Sequence, residues 1–198
     1  MKPVKTTFLL FFCLLMVLTM VGCKPGETGT PTLTVMTHDS FAISSELVTQ
    51  FENEHKVHLV FLPSGDAGAM LNRAILTKNS PQADVLYGVD NTFLSRALQE
   101  GLFIKYQSPV LKAIPDEFKL DPDLRALPVD YGDVCINFDK GYFSGHNLAV
   151  PQSLQDLLAP EYGKQPGTPG LLVVENPATS SPGLAFLLAT VKAFGEGG

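Results

Sequence analysis

Residues 33–100 read LTVMTHDSFAISSELVTQFENEHKVHLVFLPSGDAGAMLNRAILTKNSPQADVLYGVDNTFLSRALQE, and their periodicity decides the fold. Leu33-Thr34-Val35-Met36 is a short apolar run with the composition of a buried strand. Residues 41–55 follow with a helical spacing that puts Phe41, Leu47, Val48 and Phe51 on one face. Val57–Leu62 predicts a second strand and 67–77 a second helix. Residues 83–89 predict a third strand, and 91–100 a third helix with Phe93, Leu94 and Leu98 turned inward. Strands alternating with helices at this spacing predict βαβ units, a parallel sheet and right-handed crossovers.

The pattern then changes. Residues 101–125 carry Pro109, Pro115 and Pro122 and read as loop with short helical turns. Residues 126–138 (ALPVDYGDVCINF) read as one long extended stretch, a candidate crossing between two lobes. A helix over 154–159, a strand over 171–175 and a helix over 182–194 complete the reading.

The opposite end is not part of this domain. Lys2 and Lys5, the apolar run Phe8–Val21 and small residues before Cys23 have the layout of a secretory leader. The apolar run is shorter than the roughly 20 residues that span a bilayer. A cysteine at the cleavage point resembles the lipobox of bacterial lipoproteins, with Met20 where that family usually has Leu. The resemblance implies acylation of Cys23 and an exported, membrane-anchored lipoprotein at the cell envelope. Residues 24–32 (KPGETGTPT) read as a flexible tether. The expected layout is therefore a signal peptide at 1–22, a tether at 23–32, a first lobe at 33–128, and a crossover with part of a second lobe at 129–198.

The chain has 198 residues and a net charge of −6, and losing Lys2 and Lys5 with the leader makes the remainder more acidic still. That balance speaks against nucleic acid as a partner and does not suggest binding to anionic lipid. Cys13 leaves with the leader and Cys23 is taken by lipid, so Cys135 stands alone and no internal disulfide forms. In its alternating stretch Cys135 reads as a small half-buried residue rather than a nucleophile. The four His show no metal-ligand spacing, and no cofactor is implied.

In open parallel sheets, ligands bind beyond the carboxyl ends of the strands. Those ends carry Thr37-His38-Asp39-Ser40, Pro63-Ser64-Gly65-Asp66, Gly88-Val89-Asp90-Asn91 and, in the second lobe, Asn176-Pro177-Ala178-Thr179-Ser180-Ser181-Pro182-Gly183. Each has a plainer reading as a helix cap: Asp39 or Ser40 for the helix at Phe41, Asp66 for the next, Asp90 or Asn91 for the third. The Ser180-Ser181-Pro182 helix start predicts hydroxyls and free N–H groups pointing outward together, a combination suited to phosphate or carboxylate. Asp39, Asp66 and Asp90 would favour a cationic group on the facing side. Tyr131, in the proposed crossover, reads as a packed aromatic or as a stacking platform.

Leu33–Phe41, Asp66–Arg73, Lys78–Asn91, Val129–Gly132 and Asn176–Gly183, in this order, resemble the thiamine-binding proteins of bacterial ABC importers. The resemblance implies an α/β, two-lobed, type II periplasmic-binding-protein fold, with the lobes joined by crossing strands and the second lobe incomplete at Gly198. It implies no catalysis. It implies that Asp66 and Ala67 contact the ligand, that Ser180 and Ser181 form a hydroxyl pair on its phosphate side, and that His38 stands where the family has an aromatic. The implied partners are thiamine or its phosphates and an ABC permease in the membrane. A ferric ion, a polyamine, or a thiaminase-like enzyme using Cys135 are the competing readings, and the last lacks an evident base.

Overall fold

The computed structural model describes residues 29–163, 166–167 and 169–195, so the leader, Cys23 and most of the tether lie outside the described residues. The sheet has three strands: β1 (Thr32–Thr37), β2 (His58–Pro63) and β3 (Val85–Tyr87). All pairing is parallel and the order is β2-β1-β3. The central position of β1 accounts for its burial, with Met36 2% and Thr37 1% exposed. Thr32 to Thr37 pair with His58 to Pro63, and Val35 to Thr37 with Val85 to Tyr87, so the three strands end level. The side chain of Asp84 lengthens the short β3 ladder by accepting from the Thr34 N–H at 2.8 Å, while the Asp84 N–H donates to the Thr34 carbonyl.

Among the described residues there are five α-helices, α1 (Ser45–His55), α2 (Ala67–Leu76), α3 (Asn91–Gln99), α4 (Lys140–Gly145) and α5 (Ser181–Phe194), of which the first three alternate with the strands. The chain is therefore α/β with a parallel sheet, as its periodicity requires. The apolar faces of α2 and α3 meet in a core of Ala67, Leu71, Phe93 and Ala97, ringed by Ile75, Val89, Leu102, Phe103 and Leu184. Leu184 belongs to α5, so the same core ties the last helix to the first βαβ units.

Several expectations need correction. Helix α1 starts at Ser45 rather than Phe41, because Ser44 is its N-cap and accepts from the Leu47 N–H. Asp39 and Ser40 are thus not caps, and Phe41 instead packs its ring on Phe61 and Tyr87, 5.3 and 5.0 Å away between centroids. The face of α1 that carries Leu47 and Phe51 is not buried. The helix is held through Glu52, whose carboxylate accepts from the Leu59 N–H at 2.8 Å and meets the His58 imidazole.

Residues 126–138 and 171–175 form no strand. A strand needs a neighbour for its N–H and C=O groups, and neither segment has a ladder partner among the described residues. Val129, Tyr131, Val134 and Val173 are accordingly exposed. The helix expected over 154–159 shrinks to a 3₁₀ turn at Asp156–Leu158. Helix α4, which the periodicity did not predict, is nucleated by Asp139 accepting from the Tyr142 N–H.

Residues 101–125 are loop with 3₁₀ turns at Pro109–Ala113 and Asp116–Phe118, as the prolines predict. The buried Asp121 fastens this loop. It accepts from the backbone N–H and the guanidinium of Arg125, which holds its carboxyl well below the usual carboxylate range.

Candidate ligand-binding site

Because the strands end level, the loops after them share one edge. After β1, the Asp39 N–H donates to the Gly65 carbonyl at 3.0 Å, and the Asp39 carboxylate accepts from the Gly65 N–H at 2.8 Å. This reciprocal pair clamps the β1 and β2 loops together. Gly65 can turn there because its φ of 83° is open to glycine. The His38 ring lies over Gly88, where an added Cβ would come within 2.3 Å of the imidazole. Tyr87 sits beside it, with ring centroids 6.0 Å apart. The Tyr87 hydroxyl donates to Asp130 at 2.7 Å, drawing the proposed crossover onto the end of β3. That hydrogen bond to a carboxylate raises the Tyr87 pKa above its ordinary value.

Helices α2 and α5 bring their N-termini to the same place. The Gly68 N–H, in the first turn of α2, donates to the Thr179 carbonyl at 2.8 Å. A Cβ at Gly68 would lie 2.9 Å from the Ala178 and Thr179 carbonyl oxygens and from the Phe93 ring. The absence of a side chain is therefore what lets the two helix starts touch. Asp66 occupies the N-cap position of α2, but its carboxylate makes no cap bond. The residue is exposed, beside the buried Ala67, and while its carbonyl accepts from the Met70 N–H at 2.8 Å, its carboxylate has no hydrogen-bond or ion-pair partner among the described residues.

The α5 start is built differently from expectation. Ser180 is only 3% exposed. Its hydroxyl accepts from the Gly183 N–H at 3.2 Å and donates to the Glu175 carboxylate. Pro182 has no N–H to offer. The outward cluster of free donors read from Ser180-Ser181-Pro182 thus reduces to the half-buried Ser181. The loop before it is an Asn176-centred turn, with the Thr179 and Ser180 N–H groups on the Asn176 carbonyl and the Ala178 N–H on its side chain.

Among the residues singled out in the sequence, the Gly68–Thr179 contact ties the turn that opens with Asp66 and Ala67 to the residue before Ser180 and Ser181, and the Asp39–Gly65 clamp ties Asp39 to the residue before Asp66. Asp90 is committed to capping: its carboxylate accepts from the Thr92 and Phe93 N–H groups and from the Thr92 hydroxyl. Tyr131 is 81% exposed and stacks on Phe118 at 4.8 Å. Sequence reasoning missed Gly68, Tyr87, Asp130 and Glu175, each of which acts on a residue distant in the chain or through a loop the periodicity does not describe. Cys135 is exposed, not half-buried, and lines a cavity of about 740 Å³ between 133–139 and 171–175 that meets the candidate site at Glu175, Pro182 and Gly183.

The sequence pattern of the family described as bacterial extracellular solute-binding protein matches residues 80–198. A thiamine-binding periplasmic protein of Escherichia coli (strain K12) is 29% identical over 179 residues, which are 88% of this chain and 51% of the relative. The protein of the same name from Brucella suis biovar 1 (strain 1330) is 27% identical over 182 residues, 89% of this chain and 51% of the relative. A solved structure of a periplasmic thiamin binding protein superposes with a TM-score of 0.61 at 26% identity, over 87% of this chain and 52% of that one. The periplasmic binding protein AfuA from Actinobacillus pleuropneumoniae, with exogenous fructose-6-phosphate bound, superposes with a TM-score of 0.61 at 22% identity, over 84% and 51%; this likeness shows the fold alone. The chain spans about half the length of the curated relatives it matches.

Proposed function

The chain belongs to the bacterial extracellular solute-binding proteins, and from that premise we propose that it captures thiamine outside the cytoplasm and passes it to an ABC importer. Residues 33–128 act as the first lobe, and 129–198 as the crossover and part of the second. The observation that carries this reading is the Gly68–Thr179 contact. It supports a single site in which the unpaired Asp66 carboxylate and the Ser181 hydroxyl face one solute from different parts of the chain. An exposed carboxylate with no partner of its own suits a cationic, amine-bearing ligand, since pairing it there removes no existing interaction.

No bond is made or broken in this function. Ligand adds contacts that exist only with the lobes together and so shifts the population toward the closed form. Lipid on Cys23 keeps that form beside the permease at high effective concentration.

Titration calorimetry of the full-length protein with thiamine, spermidine and ferric ion tests the ligand. Thiamine binds, and Asp66→Asn weakens it by roughly tenfold to a hundredfold, as loss of a charged hydrogen bond predicts. Equal affinity in the variant rejects the site. Alkylating Cys135 leaves binding intact and reveals no turnover if the protein is a carrier. Anchoring is read separately: cells fed labelled palmitate should label the wild type and not Cys23→Ala, and label persisting in the variant excludes lipid at that residue.

A further inference from the structure

We infer that Glu175 is a specificity determinant that turns the α5 start away from anions, so that the site prefers a cationic solute with a neutral tail over its phosphate esters. This rests on the thiamine reading and names which form of that solute is taken.

A helix N-terminus attracts an anion because its first N–H groups are unpaired and its dipole presents partial positive charge. At α5 an internal carboxylate already sits against the N-cap residue, bonded to the Ser180 hydroxyl. The Ser180 hydroxyl, the donor an incoming phosphate would use, is bonded to Glu175, and the Gly183 N–H is bonded to Ser180. Glu175 is fixed in this place by backbone packing as well. A Cβ at Gly183 would lie 2.5 Å from the Glu175 carbonyl oxygen and 2.9 Å from its carbonyl carbon, so the first turn of α5 rests directly on Glu175.

The surrounding charge has the same sign. Glu175 is exposed, so its charge is open to solvent, and it also lines the cavity between 133–139 and 171–175. Asp66 stands unpaired on the other side of the Gly68–Thr179 contact. The nearby cation on α2, Arg73, is turned to Gln82 and Ser64 at 2.8 and 3.2 Å. A phosphate seated at Ser181 would meet two carboxylates and one free hydroxyl. Like charges brought together this way discriminate against the wrong ligand.

The test is Glu175→Gln in the full-length protein, which keeps side-chain length and a carbonyl acceptor for Ser180 while removing the charge. Wild type binds thiamine more tightly than thiamine monophosphate. In the variant the affinity for the monophosphate relative to thiamine rises roughly tenfold at low salt, and added salt narrows the difference. An unchanged ratio, or a wild type that binds both equally, overturns the inference. Inorganic phosphate supplies a second readout: it raises the melting temperature of the variant and not of the wild type, and equal responses overturn the inference. If neither protein binds thiamine at all, the capture reading falls, and the phosphate comparison alone still decides whether Glu175 repels anions.

Discussion

Phe93→Ala lowers the stability of the fold by about 3–5 kcal/mol, the usual cost of emptying a buried aromatic position. Phe93 is 6% exposed and occupies the meeting point of three helices. It shares a cluster with Ala67 and Leu71 of α2 and Ala97 of its own helix, and Leu184 of α5 packs against that cluster. Ala67 and Ala97 have nothing to extend into the space a missing ring leaves, so the site collapses poorly. The ring also bounds Gly68, the residue that joins α2 to the Thr179 carbonyl. Its loss therefore loosens the candidate site along with the core, and thiamine affinity falls in whatever fraction stays folded. Chemical denaturation gives the first effect. A loss below about 1 kcal/mol, the range of tolerated volume-conserving swaps, would show that α5 does not depend on this core.

What the sequence reveals follows from the range of the interactions involved. Strands and helices of residues 33–100 are set by local periodicity, so all six were legible there to within a few residues, apart from the start of α1. The sequence offers Asp39 or Ser40 as its cap, whereas the cap is Ser44. Asp39 was lost to α1 because its carboxylate accepts from Gly65, 26 residues away. The apolar stretches 126–138 and 171–175 look like strands by composition, but strand pairing is a property of two segments, and composition describes only one. The candidate site shows the same division. Asp66, Ala67, Ser180 and Ser181 were visible as helix starts. Glu175 was hidden because its effect lies in a hydrogen bond across the Asn176 turn, and Gly68 because its neighbour is 111 positions further along the chain.

Gly68→Val breaks the contact on which the site depends. Glycine inside a helix is ordinarily a fault, and even alanine would be favoured there by about 1 kcal/mol on helix propensity alone. Here that gain is outweighed. The added Cβ meets three atoms at 2.9 Å, and two of them are backbone carbonyl oxygens, of Ala178 and Thr179, that cannot rotate aside as a flexible side chain would. Either α2 moves off the 176–180 loop and gives up the hydrogen bond from the Gly68 N–H, or the loop rises and takes Ser180 and Ser181 with it. Overpacking of this kind costs about 1–3 kcal/mol, and valine, with its γ carbons and stiff χ1, lies at the upper end. Thiamine affinity should fall at least tenfold, because each outcome separates Asp66 from Ser181. Gly132→Ala is the matched control: its Cβ would enter open space and its backbone is not left-handed, so binding and stability stay near wild type. A Gly68→Val protein that binds thiamine as tightly as Gly132→Ala would mean that the two helix starts do not act on one ligand.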